Sequence, residues 1–73
     1  MIAESTELRF WEAVDKAKLT ARVWPNGLYA LYVRESDEYL GTVRIEGEVA
    51  RRASEWDARD VPRFRAFEEA FAL

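Results

Sequence analysis

Between Thr6 and Ala17 the apolar side chains fall at Leu8, Trp11 and Val14, with Phe10 and Ala17 on a neighbouring row. Steps of three and four match one face of an α-helix, and the row at Phe10, Val14 and Ala17 has no period-two explanation. Ser5 or Thr6 offers an oxygen to cap the first turn, and Glu7 sits where the helix dipole favours an acid. From Lys18 the period drops to two. "KLTARVW" runs into "PNG", whose Gly27 permits a positive φ, and the chain returns as "LYALYVR". The acidic turn "ESDE" then leads into "YLGTVRI". These runs predict three antiparallel strands over about 18–24, 28–34 and 39–45.

Because side chains alternate along a strand, pairing register can be tested by asking which alignment gathers the apolar residues on one side. Pairing Trp24 with Leu28 sets Val23 opposite Tyr29, Ala21 opposite Leu31 and Leu19 opposite Val33. Closing the second hairpin around Asp37 sets Val33 opposite Gly41, Leu31 opposite Val43 and Tyr29 opposite Ile45. Apart from the phenol of Tyr29, every residue of that face is apolar or glycine, so it is the expected core face.

Beyond Gly47, "EVARRASEWDAR" places Val49, Ala53 and Trp56 at i, i+4 and i+7 and puts Glu48 four residues before Arg52. That spacing predicts a helix over about 48–59, with a fourth strand in "VARRASEW" as the competing assignment. Asp60 and Pro62 mark the start of a last helix over about 62–72, whose stripe of Phe64, Phe67 and Phe71 is a buried face. The expected fold is α+β in a single domain. An N-terminal helix over about 6–17 precedes a three-stranded antiparallel β-meander and two C-terminal helices, with Trp11, Val14, Phe64, Phe67 and Phe71 packed on the sheet.

The chain has 73 residues. A length in that range reads as one small domain and a complete product, and it buries only about 60% of its unfolded surface, which favours association with a partner. At 49% hydrophobic and 14% aromatic the composition is that of an ordered fold with an aromatic-rich core. Cysteine and histidine are both absent, which removes disulfides, thiolate chemistry, the usual general base and the commonest transition-metal ligand. No nucleophile–base pair, phosphate loop or metal-ligand pattern is present, so no enzymatic activity, cofactor or metal is expected. The net charge of −3 exerts no general pull on nucleic acid or anionic membranes. No apolar run approaches the ~20 residues of a membrane span, and "MIAESTELRF" lacks the basic start and apolar core of a secretory signal. A cytoplasmic protein without membrane partners is the expectation.

Smaller constellations carry little chemistry. Glu35, Asp37 and Glu38 lack the loop spacing of a calcium site and read as a solvated turn. Glu68 and Glu69 are adjacent on a helix and point apart. Arg51, Arg52, Arg59, Arg63 and Arg65 are interleaved with Glu48, Glu55, Asp57 and Asp60, as on an ion-paired helix surface. Glu4, Glu7, Glu12 and Asp15 make the first helix acidic, diluted by Arg9, Lys16 and Lys18.

What remains is the reverse of the expected sheet, with Thr20, Arg22, Trp24, Leu28, Ala30, Tyr32, Arg34, Leu40, Thr42 and Arg44. In the expected register Arg22, Ala30 and Arg44 form one row, with Tyr32 beside Thr20 and Thr42 in the next. The face holds arginines and large aromatics but no acid. Three readings compete: a helix covers part of it, it binds protein, or it binds nucleic acid through phosphate contacts and base stacking. Three strands followed by a helix, with arginine and tryptophan on the open face, resemble in layout the sheet-reading DNA-binding domains of plant ethylene-response factors and integrase arm-binding segments. That resemblance implies DNA contact through the same face. Trp, Tyr and Arg are enriched at interface hot spots, and the acidic chain disfavours DNA, so a non-enzymatic protein-binding module is the leading expectation. Its partner-binding residues are Arg22, Trp24, Leu28, Tyr32, Arg34, Leu40 and Arg44, and the partner is another protein or a second copy in a homodimer. Size and composition are those of phage or mobile-element inhibitors that block a host protein such as a defence nuclease. An accessory nucleic-acid-binding module is the alternative.

Overall fold

A computed structural model describes residues 4–72 of the chain. The elements are α1 (Glu4–Lys16), β1 (Leu19–Trp24), a 3-10 turn (Pro25–Gly27), β2 (Leu28–Val33), β3 (Tyr39–Glu46), β4 (Val49–Arg52) and α2 (Val61–Ala72). The strands form one antiparallel sheet in the order β1-β2-β3-β4. Helix α1 spans Glu4–Lys16, so Ser5 and Thr6, expected as its caps, lie within it. It ends where Lys18 takes a left-handed φ of 59° and donates its N–H to the Asp15 carbonyl, which turns the chain into β1.

The first hairpin has the expected register, from Leu19 opposite Val33 to Trp24 opposite Leu28. The second is slipped by two residues from the expectation. Tyr29 faces Val43 and Leu31 faces Gly41, and the pairing shifts between Leu31 and Tyr32 so that Tyr32 faces Tyr39. The cause is a tight closure. Asp37 takes a φ of 60° and donates to the Val33 carbonyl, while Val33 donates to Glu38, leaving Leu40 as an extra residue in β3. A slip of two keeps the alternation of faces, and the bulge at Leu40 reverses it below that point.

The predicted helix over 48–59 is absent, so the described residues form four strands and one C-terminal helix rather than three and two. Gly47, at a φ of 62°, closes a tight turn after β3 and sends Val49–Arg52 back as β4, with Ala50 opposite Ile45. An extended path is favoured because it lets Trp56 reach the sheet. Beyond β4 the Ala53 N–H donates to the Thr42 carbonyl, and the Thr42 N–H donates to Ser54 Oγ. Trp56 then lies over Gly41, donates Nε1–H to the Thr42 carbonyl at 3.3 Å and meets Phe64 edge-on at 5.4 Å. A Cβ at Gly41 would stand 2.5 Å from that Nε1, so only glycine leaves room for the indole. Glu48, expected to pair with Arg52, lies 3.6 Å from Arg9 instead. The turn before α2 is held by Asp57, whose carboxylate accepts the Arg59 backbone N–H and then the Arg59 guanidinium, which together hold it below the usual carboxylate range.

Both helices and Trp56 pack on the same face of the sheet. One core joins Phe10, Ala13 and Val14 of α1, Leu19, Leu31, Val43, Ile45 and Ala50 of the strands, and Phe64, Phe67 and Phe71 of α2. Each fully buried ring contributes roughly 1.5–3 kcal/mol. The buried stripe of α1 is Thr6, Phe10, Ala13 and Val14. Leu8 and Trp11, expected to lead it, are exposed because the helix is rotated to seat Phe10 against Tyr29 (4.3 Å) and Phe67 (5.6 Å). Val23, expected in the core, is 67% exposed at the far end of an edge strand.

Candidate interface on the outer sheet face

Alternation carries Thr20, Arg22 and Trp24 of β1, Leu28, Ala30 and Tyr32 of β2, and Thr42 and Arg44 of β3 away from the helices. The slipped register sets Arg22, Ala30 and Thr42 in one row and Thr20, Tyr32 and Tyr39 in the next. This replaces the expected rows, in which Arg44 stood beside Ala30 and Thr42 beside Tyr32. Among the described residues no helix crosses this side, yet Ala30 is 0% exposed and Thr42 is buried, and Ala30 lies outside the helix-covered core.

Their cover is a plate of long side chains. Trp24 stacks parallel to Tyr39 with ring centroids 6.1 Å apart and planes within 9°. Tyr39 meets Tyr32 at 5.4 Å, and the Arg22 guanidinium lies 4.7 Å from the centre of the Tyr32 ring. The plate is itself open to solvent, with Trp24 40% and Tyr39 45% exposed. It therefore fills the face and presents aromatic surface at once.

Five of the seven residues expected at this site share the face: exposed Arg22, Trp24 and Arg44, and half-buried Leu28 and Tyr32. Arg34 does not join them, because its guanidinium turns to Asp15 of α1 at 2.9 Å and to the Leu19 carbonyl at 3.1 Å. Leu40 is buried in the core, because the bulge rotates it off the outer face. Tyr39 takes the place Leu40 was expected to hold. The signal was an apolar Leu40 beside a larger, amphipathic Tyr39, but strict alternation from Ile45 assigns the two the wrong way round.

The face is also less basic than expected, since it contains acids. Arg22 lies 3.5 Å from Asp37, and Arg51 of β4 lies 3.2 Å from Glu46. Exposed pairs of this kind contribute at most about 1 kcal/mol each, but they fix where the guanidiniums point. Arg44 donates to the Asn26 carbonyl at 3.3 Å and has no acidic partner among the described residues.

A second exposed apolar group lies at the β1 edge, where Trp11 stands edge-on to Phe10 at 5.1 Å and to Tyr29 at 6.5 Å. Burial, and then the charge of Glu7, hold the Tyr29 phenol above its ordinary pKa. Among the described residues no three acidic side chains converge as a metal site would require, and no helix is long and apolar enough to cross a membrane. No known protein family, curated protein or solved structure matches the chain.

Proposed function

We propose that this protein is a non-enzymatic binding module that holds another protein on its outer sheet face. One observation carries the reading: the stacked, half-exposed Trp24 and Tyr39 rings, with Arg22 beside them, lie on a side of the sheet that no helix among the described residues covers. Rigid aromatic surface with few rotamers to freeze is what interface hot spots are made of. Arg44 and Leu28 extend the patch toward the Pro25–Gly27 turn. In its narrower form the partner is a host protein, such as a defence nuclease, whose surface the domain blocks. A small acidic chain without histidine or cysteine suits blocking better than chemistry.

The same geometry disfavours nucleic acid. A phosphate on Arg22 or Arg51 competes with Asp37 or Glu46, and Trp24 and Tyr39 already occupy one face of each other's rings. The test compares the wild-type chain with Trp24→Ala and Tyr39→Ala as baits in an extract of the native cell, with and without nuclease. The expected result is a nuclease-resistant partner that both variants lose while staying folded by circular dichroism. Binding that survives both substitutions rules out the face. Binding that nuclease abolishes, or that weakens log-linearly and steeply with salt, assigns it to nucleic acid instead.

A further inference from the structure

The sheet ends at β4, and beside that edge lies an open groove of about 750 Å³ between β4 and α2. Its floor is apolar, formed by Ala50, Val61 and Phe64. Its walls are charged, and the charges are sorted by end. The Arg52 guanidinium lies 5.7 Å from the Phe64 ring, whereas Arg9 joins Glu48 to the carbonyl of Phe71, so α2 runs antiparallel to β4. Arg52 and Arg65 therefore stand toward the N-terminal end of α2, and Glu68 and Glu69 toward its C-terminal end. None of these four side chains has an ion-pair partner among the described residues.

We infer that this edge joins a second copy of the chain in a two-fold dimer, β4 beside β4 and α2 beside α2, both antiparallel. A groove with cations at one end and anions at the other is self-complementary under a two-fold axis, as an isologous interface must be. Rotation about an axis near Ala50 brings Arg65 of each copy opposite Glu68 and Glu69 of the other. The spacing also fits. Two helices cover four strands here, and strands ~4.8 Å apart put the α2 axes of the two copies within the 8–10 Å of ordinary helix packing. The pairing satisfies the open backbone groups of the β4 edge, where Val49 on the outer side is 50% exposed in the single chain. The inference does not rest on the binding role of the outer face, which remains open in the dimer and is doubled along one continuous sheet.

Light scattering and sedimentation of the full chain test the dimer. The expected mass is twice the 8.5 kDa of the chain, falling toward the single value on dilution. Arg65→Glu and the double variant Glu68→Arg/Glu69→Arg change exposed side chains and keep the fold, yet each weakens self-association roughly tenfold or more, by placing like charges in contact. Mixing the two variants restores a dimer containing one of each, because the opposed charges are exchanged as a set. A monomer across the concentration range overturns the inference, as does a mixture that stays monomeric. A dimer indifferent to both variants but lost in Trp24→Ala moves the contact to the outer face, and refutes this edge.

Discussion

The two faces of the sheet are both filled, but by different means. On the inner face, Leu31 and Val43 are closed over by α1, α2 and the returning Trp56, elements distant in sequence that unfold together or not at all. On the outer face, Ala30 is closed over by side chains of the sheet itself, Trp24, Tyr32, Tyr39 and Arg22. Inner burial is therefore collective and outer burial local. A face covered by its own side chains can be altered residue by residue without dismantling the fold.

Substitutions on the inner face are the severest test of this contrast. Phe67→Ala removes a ring packed against Phe10, Phe64 and Phe71, and is expected to cost about 3–5 kcal/mol in denaturant unfolding. Since small domains have little stability to spare, that loss leaves the chain largely unfolded at ordinary temperature. Gly41→Ala follows. The added methyl meets the Trp56 indole and forces it off the sheet, at about 1–3 kcal/mol, with loss of the Trp56 contribution to the near-ultraviolet tryptophan signal. A Gly41→Ala protein that melts like the wild type would mean that the 53–60 segment does not close the core.

Gly41 also shows where the sequence stopped being readable. The apolar alternation of "KLTARVW" and "LYALYVR" fixes the first hairpin because a two-residue period and one turn leave a single register. Phe64, Phe67 and Phe71 fix α2 in the same way, since no other spacing places three rings together. The helix expected at 48–59 fails because Val49, Ala53 and Trp56 satisfy a helical period by accident. What decides between it and the competing strand in "VARRASEW", which the chain adopts over Val49–Arg52, is a tertiary fit between an indole and a glycine fifteen positions upstream. The site was half legible for a similar reason. Arg22, Trp24 and Tyr32 follow from alternation, whereas the exchange of Leu40 for Tyr39 follows from a bulge set by the left-handed Asp37.

The outer plate gives a smaller and more discriminating prediction. Trp24→Ala and Tyr39→Ala are each expected to cost about 1 kcal/mol, the scale of an exposed aromatic contact. The double variant should cost less than the sum, because each ring has already lost its stacking partner in the other's absence. Thermal and denaturant unfolding of the four proteins measures the difference. Strict additivity would mean that the rings cover the face independently, and the plate would not be a preformed surface.

The finest contrast lies at Tyr29, where the inner face meets solvent beside Trp11. Its phenol is held above the ordinary value, first by burial and then by Glu7, so the neutral form is the one that folding favours. A pKa raised in the folded state contributes stability that is whole below the unfolded value, near 10, and is lost as the pH rises through the folded one. The Tyr29 contribution should accordingly be flat through neutrality and fall in alkali. Glu7→Gln removes the nearby charge but not the burial. Followed by phenolate absorbance, it should bring the Tyr29 midpoint part of the way down and move the alkaline loss of stability with it. A midpoint unmoved by Glu7→Gln would leave burial as the whole cause, and would place Tyr29 with the collective core rather than at its open margin.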